Sequence, residues 1–139
     1  MAEGLENLSA ELADVVENVG THIVRVDGRR RLAATGIIWS ADGLIVTAHH
    51  VVEFDEDIKV GLVNGDVVDA TLVGRDPSTD IAVLKANVEN LNPATWTNFD
   101  QIRVGNLALA LGLPGKNVQA TLGIVSALGR DGGRAAHFG

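Results

Sequence analysis

The sequence contains no cysteine and only five aromatic residues among its 139. The missing cysteine excludes a disulfide framework, a thiolate metal site and a cysteine nucleophile. With so few rings, a core has to be built from Val, Ile, Leu and Ala, and 46% hydrophobic residues suffice for one ordinary domain. The 21% of charged residues argues against intrinsic disorder.

Basic charge and long apolar runs are also scarce. The net charge is −7, and residues 1–20 hold five acidic residues without Lys or Arg, so the remaining chain is nearly neutral. This balance predicts no nucleic-acid partner. No stretch approaches the roughly 20 apolar residues that span a bilayer. Residues 1–4 lack the start of a signal peptide, so we expect either a cytoplasmic protein or a sequence without its targeting segment.

The N-terminal segment, residues 1–20, predicts a short amphipathic helix. Apolar residues recur at the spacing of one helical face at Leu8, Leu12, Val15, Val16 and Val19. Ser9 or Asn7 can cap the start of such a helix, and Gly20 can end it. We therefore expect a helix over residues 8–19.

The pattern after Gly20 changes to short β-like runs separated by turn residues. These runs cover residues 21–26, 33–39, 44–48, 58–63, 67–73 and 81–85. Asp42-Gly43 and Asn64-Gly65 are strong hairpin signals between apolar runs. Six short antiparallel strands favour an all-β barrel or sandwich over a βαβ fold, and we place this domain at residues 21–90.

The remainder of the chain predicts a linker followed by an incomplete sheet. Residues 91–103 are polar and predict a linker, and two strand-like runs follow at 107–111 and 120–128. Residues 130–134 are typical of a loop. A lone hairpin is marginal in water. Residues 104–128 are therefore expected to belong to a larger sheet, whose other strands come from further polypeptide, from another copy or from packing on the barrel of residues 21–90.

Histidine and aspartate residues stand at the ends of two predicted strands. His49 and His50 follow the run 44–48, while Asp76 and Asp80 precede the run 81–85. A serine nucleophile needs an imidazole to take its proton, and the imidazole needs a carboxylate on its other nitrogen. Neighbouring residues of a strand face opposite sides, so only one histidine can address a given cleft, and the pattern does not choose between them. Without further context, all four side chains are better explained as packing, surface or turn residues.

A zinc site is an alternative explanation for the two histidines. His49 and His50, together with Glu53, Asp55 and Asp57, offer suitable ligand atoms. No helical His-x-x-x-His spacing supports such a site. The sequence therefore disfavours zinc.

Several blocks, taken together, resemble the HtrA branch of the chymotrypsin-like serine proteases. They are residues 34–52 (ATGIIWSADGLIVTAHHVV), 74–84 (GRDPSTDIAVL), 103–105 (RVG), 112–115 (GLPG) and 121–130 (TLGIVSALGR). The blocks occur in the family's order, and the similarity extends over about residues 11–131. Because independent blocks agree, the resemblance is more specific than one short motif.

The resemblance implies two perpendicular six-stranded barrels with the active site between them. Residues 21–90 would then be the first barrel, and residues 104–139 would be the incomplete start of the second. Matching the Thr-x-x-His-Val-Val block places the catalytic base at His50 rather than His49. Matching the Asp-Pro-x-x-Asp-Ile-Ala block places the orienting acid at Asp80 rather than Asp76. The resemblance also implies polypeptide substrates and no metal or organic cofactor. It further implies a homotrimer formed through the N-terminal region and a commonly extracytoplasmic location.

The sequence departs from the family at the nucleophile, because no Gly-Asn-Ser-Gly-Gly block is present. The available serines are Ser9, Ser40, Ser78 and Ser126. Ser9 is expected to cap the helix, Ser40 and Ser78 to lie in turns, and Ser126 to be structural. We therefore expect no nucleophile within these 139 residues.

Three hypotheses follow. The first is a serine endopeptidase of the HtrA class, represented by the N-terminal part of its protease domain and inactive as this chain alone. The second is a short protease-like module that acts as a non-catalytic binding or chaperone protein. The third is an unrelated small β-barrel binding protein, which would have to explain the matching blocks by chance.

Overall fold

The computed structural model describes residues 2–30, 32–128 and 137–138. These residues form one α-helix and nine strands, grouped into a six-stranded closed barrel and a three-stranded sheet. The all-β class with a short N-terminal helix, as predicted, is therefore confirmed.

Helix α1 spans Ala2–Gly20. The predicted start was wrong: Asn7 and Ser9 lie inside the helix and do not cap it. The helix begins earlier, at residues 2–6, because Ala, Leu and Glu are strong helix formers. The negative charge of Glu3 in the first turn also interacts favourably with the helix dipole. Among the residues that the structure describes, no helix is long and apolar enough to cross a membrane.

The first sheet closes into the predicted six-stranded antiparallel barrel. Its strands are β1 (Ile23–Asp27), β2 (Ala34–Ile38), β3 (Leu44–Ala48), β4 (Ile58–Gly61), β5 (Val67–Asp76) and β6 (Ile81–Ala86). They follow one another around the barrel in the order β1-β2-β3-β6-β5-β4, and β1 pairs with β4 to close it. Each neighbouring pair is antiparallel. β3 and β6 are consequently direct neighbours, although 32 residues separate their last and first members.

Small aliphatic side chains fill the barrel interior. The buried cluster comprises Val24, Val26, Ile38, Ile45, Val51, Val52, Ile58, Val60, Ala70, Ala82, Leu84 and Ala86. Along each strand these residues alternate with more exposed ones, as a sheet with one buried face requires. The packing requires glycine at position 36, since a Cβ there would lie 2.6 Å from Ile45 Cγ2. Within the described residues this buried cluster contains no aromatic side chain, and the partly buried Phe54 packs against it.

Both predicted hairpin turns are confirmed. Gly43 lies between β2 and β3 with a φ of 110°, and Gly65 lies between β4 and β5 with a φ of 98°. Both values fall in the left-handed region that glycine adopts without steric cost. The two turns differ in their surroundings: a Cβ on Gly43 would meet Ala86 O at 2.4 Å, whereas none of the described atoms lies within 4 Å of one on Gly65.

The second sheet consists of β7 (Leu107–Gly112), β8 (Gln119–Ala127) and β9 (His137–Phe138), in that order. β7 and β8 confirm the two predicted runs, whereas β9 was not predicted. The loop predicted over residues 130–134 lies outside the described residues. The chain divides into two units, one of residues up to Ala94 with Gly112–Gln119, the other of Thr95–Leu111 with the residues from Ala120 onward. The boundaries at 21–90, 91–103 and 104–139 stay predictions.

The connection between β7 and β8 belongs to the first unit. Leu113 is 1% exposed, and its backbone N–H donates to Thr35 Oγ1 at 2.9 Å. Arg25 Nη1 donates to the carbonyl oxygen of Gly115 at 3.3 Å. These contacts attach the Gly-Leu-Pro-Gly turn to strands β1 and β2.

Candidate active site

Antiparallel pairing of β3 with β6 brings the two sequence-predicted site segments together. The register runs from Leu44 opposite Lys85 to Ala48 opposite Ile81. The residue after Ala48 therefore adjoins the residue before Ile81, and the His49 backbone N–H donates to the Asp80 carbonyl oxygen at 3.0 Å. Segments 30 residues apart in sequence are thus held together by an extension of the strand ladder.

His50 engages both oxygens of the Asp80 carboxylate. The His50 Nδ1 atom lies 2.6 Å from Asp80 Oδ2, and the His50 backbone N–H donates to Asp80 Oδ1 at 2.8 Å. The two side chains stay accessible, with exposed fractions of 66% for His50 and 48% for Asp80. Two hydrogen bonds therefore fix the His50 ring on its Nδ1 side, while the rest of the imidazole remains accessible to another molecule or chain segment.

The charge of Asp80 determines the tautomer of His50. The hydrogen bond from the His50 ring holds the pKa of Asp80 below its ordinary value, and the His50 backbone N–H acts in the same direction. An ionised carboxylate has no proton to donate, so the short contact requires the proton on His50 Nδ1. In the neutral ring, Nε2 then carries the free lone pair and can accept a proton.

The lowered pKa of Asp80 predicts a loss of stability in acid. A carboxylate whose folded pKa lies below its unfolded value stabilises the fold above the unfolded value, about 3.9, and loses that contribution as the pH falls through the folded pKa. We therefore expect the free energy of unfolding to decrease between about pH 5 and pH 3. The decrease should be smaller in Asp80→Asn, measured by urea unfolding across this range. Equal slopes in the two proteins would contradict the prediction.

Asp76, the other candidate acid, is occupied within its own turn. Its Oδ1 accepts the backbone N–H of Ser78 at 3.0 Å and the Ser78 hydroxyl at 2.7 Å, and its Oδ2 accepts the Thr79 hydroxyl at 3.0 Å. The Ser78 hydroxyl, followed by that of Thr79, lowers the pKa of Asp76. Its carboxylate thus organises the β5–β6 turn, while Asp80 extends from the end of that turn to His50.

The two histidines are separated by a change of backbone direction. β3 ends at Ala48, and His49–Val51 forms a single 3₁₀ turn, so strand alternation does not apply to this pair. The Nδ1 atom of His49 is buried without a hydrogen-bond partner among the described residues. The structure therefore brings the ring of His50, and not that of His49, to the Asp80 carboxylate.

The four serines lie in turns, on helix α1 and in strand β8. The Ser40 hydroxyl donates to Asp42, and the Ser78 hydroxyl donates to Asp76. Ser9 is exposed on helix α1, and Ser126 is part of β8. Ser40 and Ser78 are thus engaged in turns, as the sequence predicted.

The residues considered for zinc do not gather into a metal-binding arrangement. Within the described ranges, no group of three or more His, Asp or Glu side chains is arranged to hold a metal ion. Asp55 instead accepts a hydrogen bond from Arg75 Nη2 at 3.2 Å.

Arg75 is a residue near the site that the sequence analysis missed. Its guanidinium donates to the carbonyl oxygens of Val52 at 2.7 Å and Phe54 at 3.3 Å, directly after the turn that carries His50. One signal was available: Arg75 is the only basic residue between positions 67 and 84. A lone cation near the end of a strand suggests a fixed partner.

Comparison with known proteins shows the family to which the chain belongs. A family described as "Trypsin-like peptidase domain" matches residues 34–138, which include both strands of the site. The chain is 44% identical over 108 residues to a probable periplasmic serine endoprotease DegP-like of Chlamydia trachomatis, covering 77% of this chain and 22% of the relative.

Two further relatives have a similar level of identity. The periplasmic serine endoprotease DegP of Escherichia coli K12 is 43% identical over 107 residues, covering 75% of this chain and 23% of DegP. The serine endoprotease DegS of Haemophilus influenzae is 41% identical over 100 residues, covering 70% of this chain and 29% of DegS. The matches thus extend over about a quarter of the length of these curated relatives.

Proposed function

The chain belongs to the trypsin-like peptidase family, and from that membership we propose that it supplies the histidine and aspartate of an HtrA-type serine endopeptidase. The observation that carries the proposal is the contact of 2.6 Å between His50 Nδ1 and Asp80 Oδ2, on a ring that is 66% exposed. His50 is the proposed general base, and Asp80 is the residue that orients it. The nucleophilic serine is proposed to come from polypeptide outside these 139 residues.

The proposed mechanism begins with the Asp80–His50 pair. Asp80 holds the proton on His50 Nδ1, which leaves the Nε2 lone pair available to take the proton of a serine hydroxyl. The serine oxygen then bonds to the scissile carbonyl carbon, and the carbonyl π electrons move to its oxygen. Asp80 remains ionised and stabilises the imidazolium that forms.

Collapse of this tetrahedral intermediate completes acyl transfer. His50 Nε2 donates its proton to the leaving amine as the carbon–nitrogen bond breaks, giving an acyl-enzyme and the first peptide product. Water then attacks the ester carbonyl, again losing its proton to His50. Proton return to the serine oxygen releases the second product. Acyl-enzyme formation and its hydrolysis each use His50 once as base and once as acid, and neither requires another proton carrier.

Polypeptides are the proposed substrates, since relatives are named as endoproteases. A homotrimer is proposed from the family resemblance, and the apolar side chains exposed on α1 support it. They are Leu5, Leu8, Val15 and Val19. An isolated chain gains nothing from keeping such side chains in water, whereas burial against another copy is favourable.

The proposed function is tested by extending the reading frame past Gly139. We expect it to encode a Gly-x-Ser-Gly-Gly block, and the longer protein to react with a serine-directed fluorophosphonate probe and to hydrolyse casein. His50→Ala in the longer protein should abolish hydrolysis. The 139-residue chain should not react with the probe specifically.

Two results would contradict the proposal. Casein hydrolysis that persists in His50→Ala would remove His50 from the mechanism. A reading frame that stops without a new serine, together with an unreactive chain, would favour the non-catalytic binding or chaperone module instead.

A further inference from the structure

We propose that the end of strand β5 positions the His50–Asp80 pair from both sides. Asp76 fixes the turn that carries Asp80, and Arg75 fixes the segment that follows His50. These two adjacent residues act as positioning residues, because neither contacts the reacting atoms. The inference deepens the proposed function and rests on it for its catalytic meaning.

Asp76 closes the β5–β6 turn through its carboxylate. The four residues 77–80 connect the paired residues Asp76 and Ile81. Three donors from Ser78 and Thr79, one backbone N–H and two hydroxyls, converge on the Asp76 carboxylate within 3.0 Å. Hydrogen bonds to a charged acceptor are stronger than neutral ones. The turn is therefore fixed from its first residue to the one before Asp80.

Asp80 needs this support because its backbone is in an unfavourable conformation. Its φ of 57° lies in the left-handed region, which is sterically unfavourable for a non-glycine residue. With this left-handed backbone, the Asp80 carboxylate contacts both the backbone N–H and the ring of His50. A turn free to relax would move Asp80 toward a commoner φ and away from His50.

Arg75 fixes the chain on the other side of the pair. Its fork donates to Val52 O at 2.7 Å, Phe54 O at 3.3 Å and Asp55 Oδ1 at 3.2 Å. The first of these acceptors is two residues beyond His50. Arg75 is well placed for this because three acceptors at different positions match the fixed geometry of a guanidinium better than that of an ammonium.

Strand geometry explains why two adjacent residues can serve the two sides. Successive side chains of a strand point to opposite faces. In β5, Arg75 is directed to the 52–55 segment, and Asp76 is directed to the turn ahead of it. Because both belong to one strand paired with β6, the two supports share a common frame. The relative position of His50 and Asp80 is thereby determined by a single strand end.

The test measures, by NMR, how fast the His50 Nδ1 proton exchanges with solvent in the 139-residue chain. At neutral pH we expect Asp76→Ala to raise the solvent exchange rate of the His50 Nδ1 proton about tenfold, as loss of ~1.4 kcal/mol of hydrogen-bond protection would. The matched control is Asn64→Ala. It removes a similar turn contact, Asn64 Oδ1 accepting the Asp66 N–H at 2.9 Å, at the other end of β5. Exchange in the control should remain close to wild type.

Equal exchange rates in Asp76→Ala and Asn64→Ala would overturn the proposal for Asp76. If Asp76→Ala does not fold, Thr79→Val removes only the hydroxyl that Asp76 Oδ2 accepts. Its exchange rate should rise, and an unchanged rate would overturn the proposal equally. The experiment requires no cleavage, so a longer protein that fails to hydrolyse casein would refute the proposed function without affecting this result.

Arg75 is tested with Arg75→Met and Arg75→Lys. Arg75→Met should increase exchange of the His50 Nδ1 proton several-fold, and Arg75→Lys should restore it only partly, because an ammonium lacks the fork. If the amide signals of residues 52–55 shift while the His50 ring proton is unchanged, Arg75 has a structural role only.

Discussion

Asp80→Asn in a longer protein that carries the nucleophilic serine is expected to lower kcat about 10⁴-fold, with KM little changed. The substitution keeps the size and shape of the side chain. The two hydrogen bonds that the structure shows between Asp80 and His50 explain why so small a change has so large an effect.

The backbone N–H of His50 determines how the new carboxamide is oriented. In the native protein this N–H donates to Asp80 Oδ1 at 2.8 Å. The carboxamide can accept at that position only with its oxygen, so its NH₂ group is directed toward His50 Nδ1. Nδ1 must then accept, and the ring proton moves to Nε2. The nitrogen that takes the serine proton is thereby blocked.

A matched control separates this effect from loss of surface charge. Asp69 is an exposed carboxylate on β5 that pairs with Lys59, and Asp69→Asn makes the same change in charge. An exposed ion pair contributes little to stability. We expect this variant to keep nearly wild-type kcat. If Asp80→Asn and Asp69→Asn reduce kcat equally, Asp80 does not determine the tautomer of His50.

Much of the barrel was predictable because its determinants are local. Alternating β-branched runs and the glycine turns at 43 and 65 each depend on a few neighbouring residues. The start of α1 was missed because capping signals at Asn7 and Ser9 compete with the helix propensity of the residues before them. β9 was missed because two residues carry no periodicity.

The choice of His50 came from the resemblance and not from the pattern. Strand alternation assumed that β3 continues through His49 and His50, whereas the chain leaves the strand at Ala48. The roles of Arg75 and Asp76 were also beyond local pattern. The contacts of Arg75 reach back 20 to 23 residues, and such contacts depend on which strands become neighbours in the closed barrel.

Gly43→Ala is expected to lower the free energy of unfolding by about 2–5 kcal/mol, a large part of the ~5–15 kcal/mol that stabilises a typical domain. Two costs combine. The φ of 110° is unfavourable for any residue with a Cβ, and that Cβ would lie 2.4 Å from the carbonyl oxygen of Ala86. Relief requires β3 and β6 to separate where Gly43 O accepts the Ala86 N–H at 2.8 Å.

Gly65→Ala isolates the first cost from the second. Its φ of 98° imposes similar strain, but none of the described atoms lies within 4 Å of the added Cβ. We expect a loss of about 1–2 kcal/mol for this variant, measured with Gly43→Ala by urea unfolding and far-UV circular dichroism. Equal losses in the two variants would show that contact with Ala86 is relieved without cost.

Comparison of Gly43→Ala with Asp80→Asn also separates the stability of the barrel from the tautomer of His50. Gly43 adjoins one end of the β3–β6 ladder, at Leu44 opposite Lys85, and the other end leads to His50 and Asp80. A Gly43→Ala protein that is still folded should therefore keep the His50 Nδ1 proton signal, because the five ladder pairs between the two ends remain. Asp80→Asn should have a different profile at neutral pH, because it loses only the stabilising contribution of the Asp80 carboxylate while the tautomer of His50 is inverted. Loss of the His50 signal in folded Gly43→Ala would mean that the ladder transmits strain along its whole length, and that the site depends on the hairpin at Gly43 as well as on the end of β5.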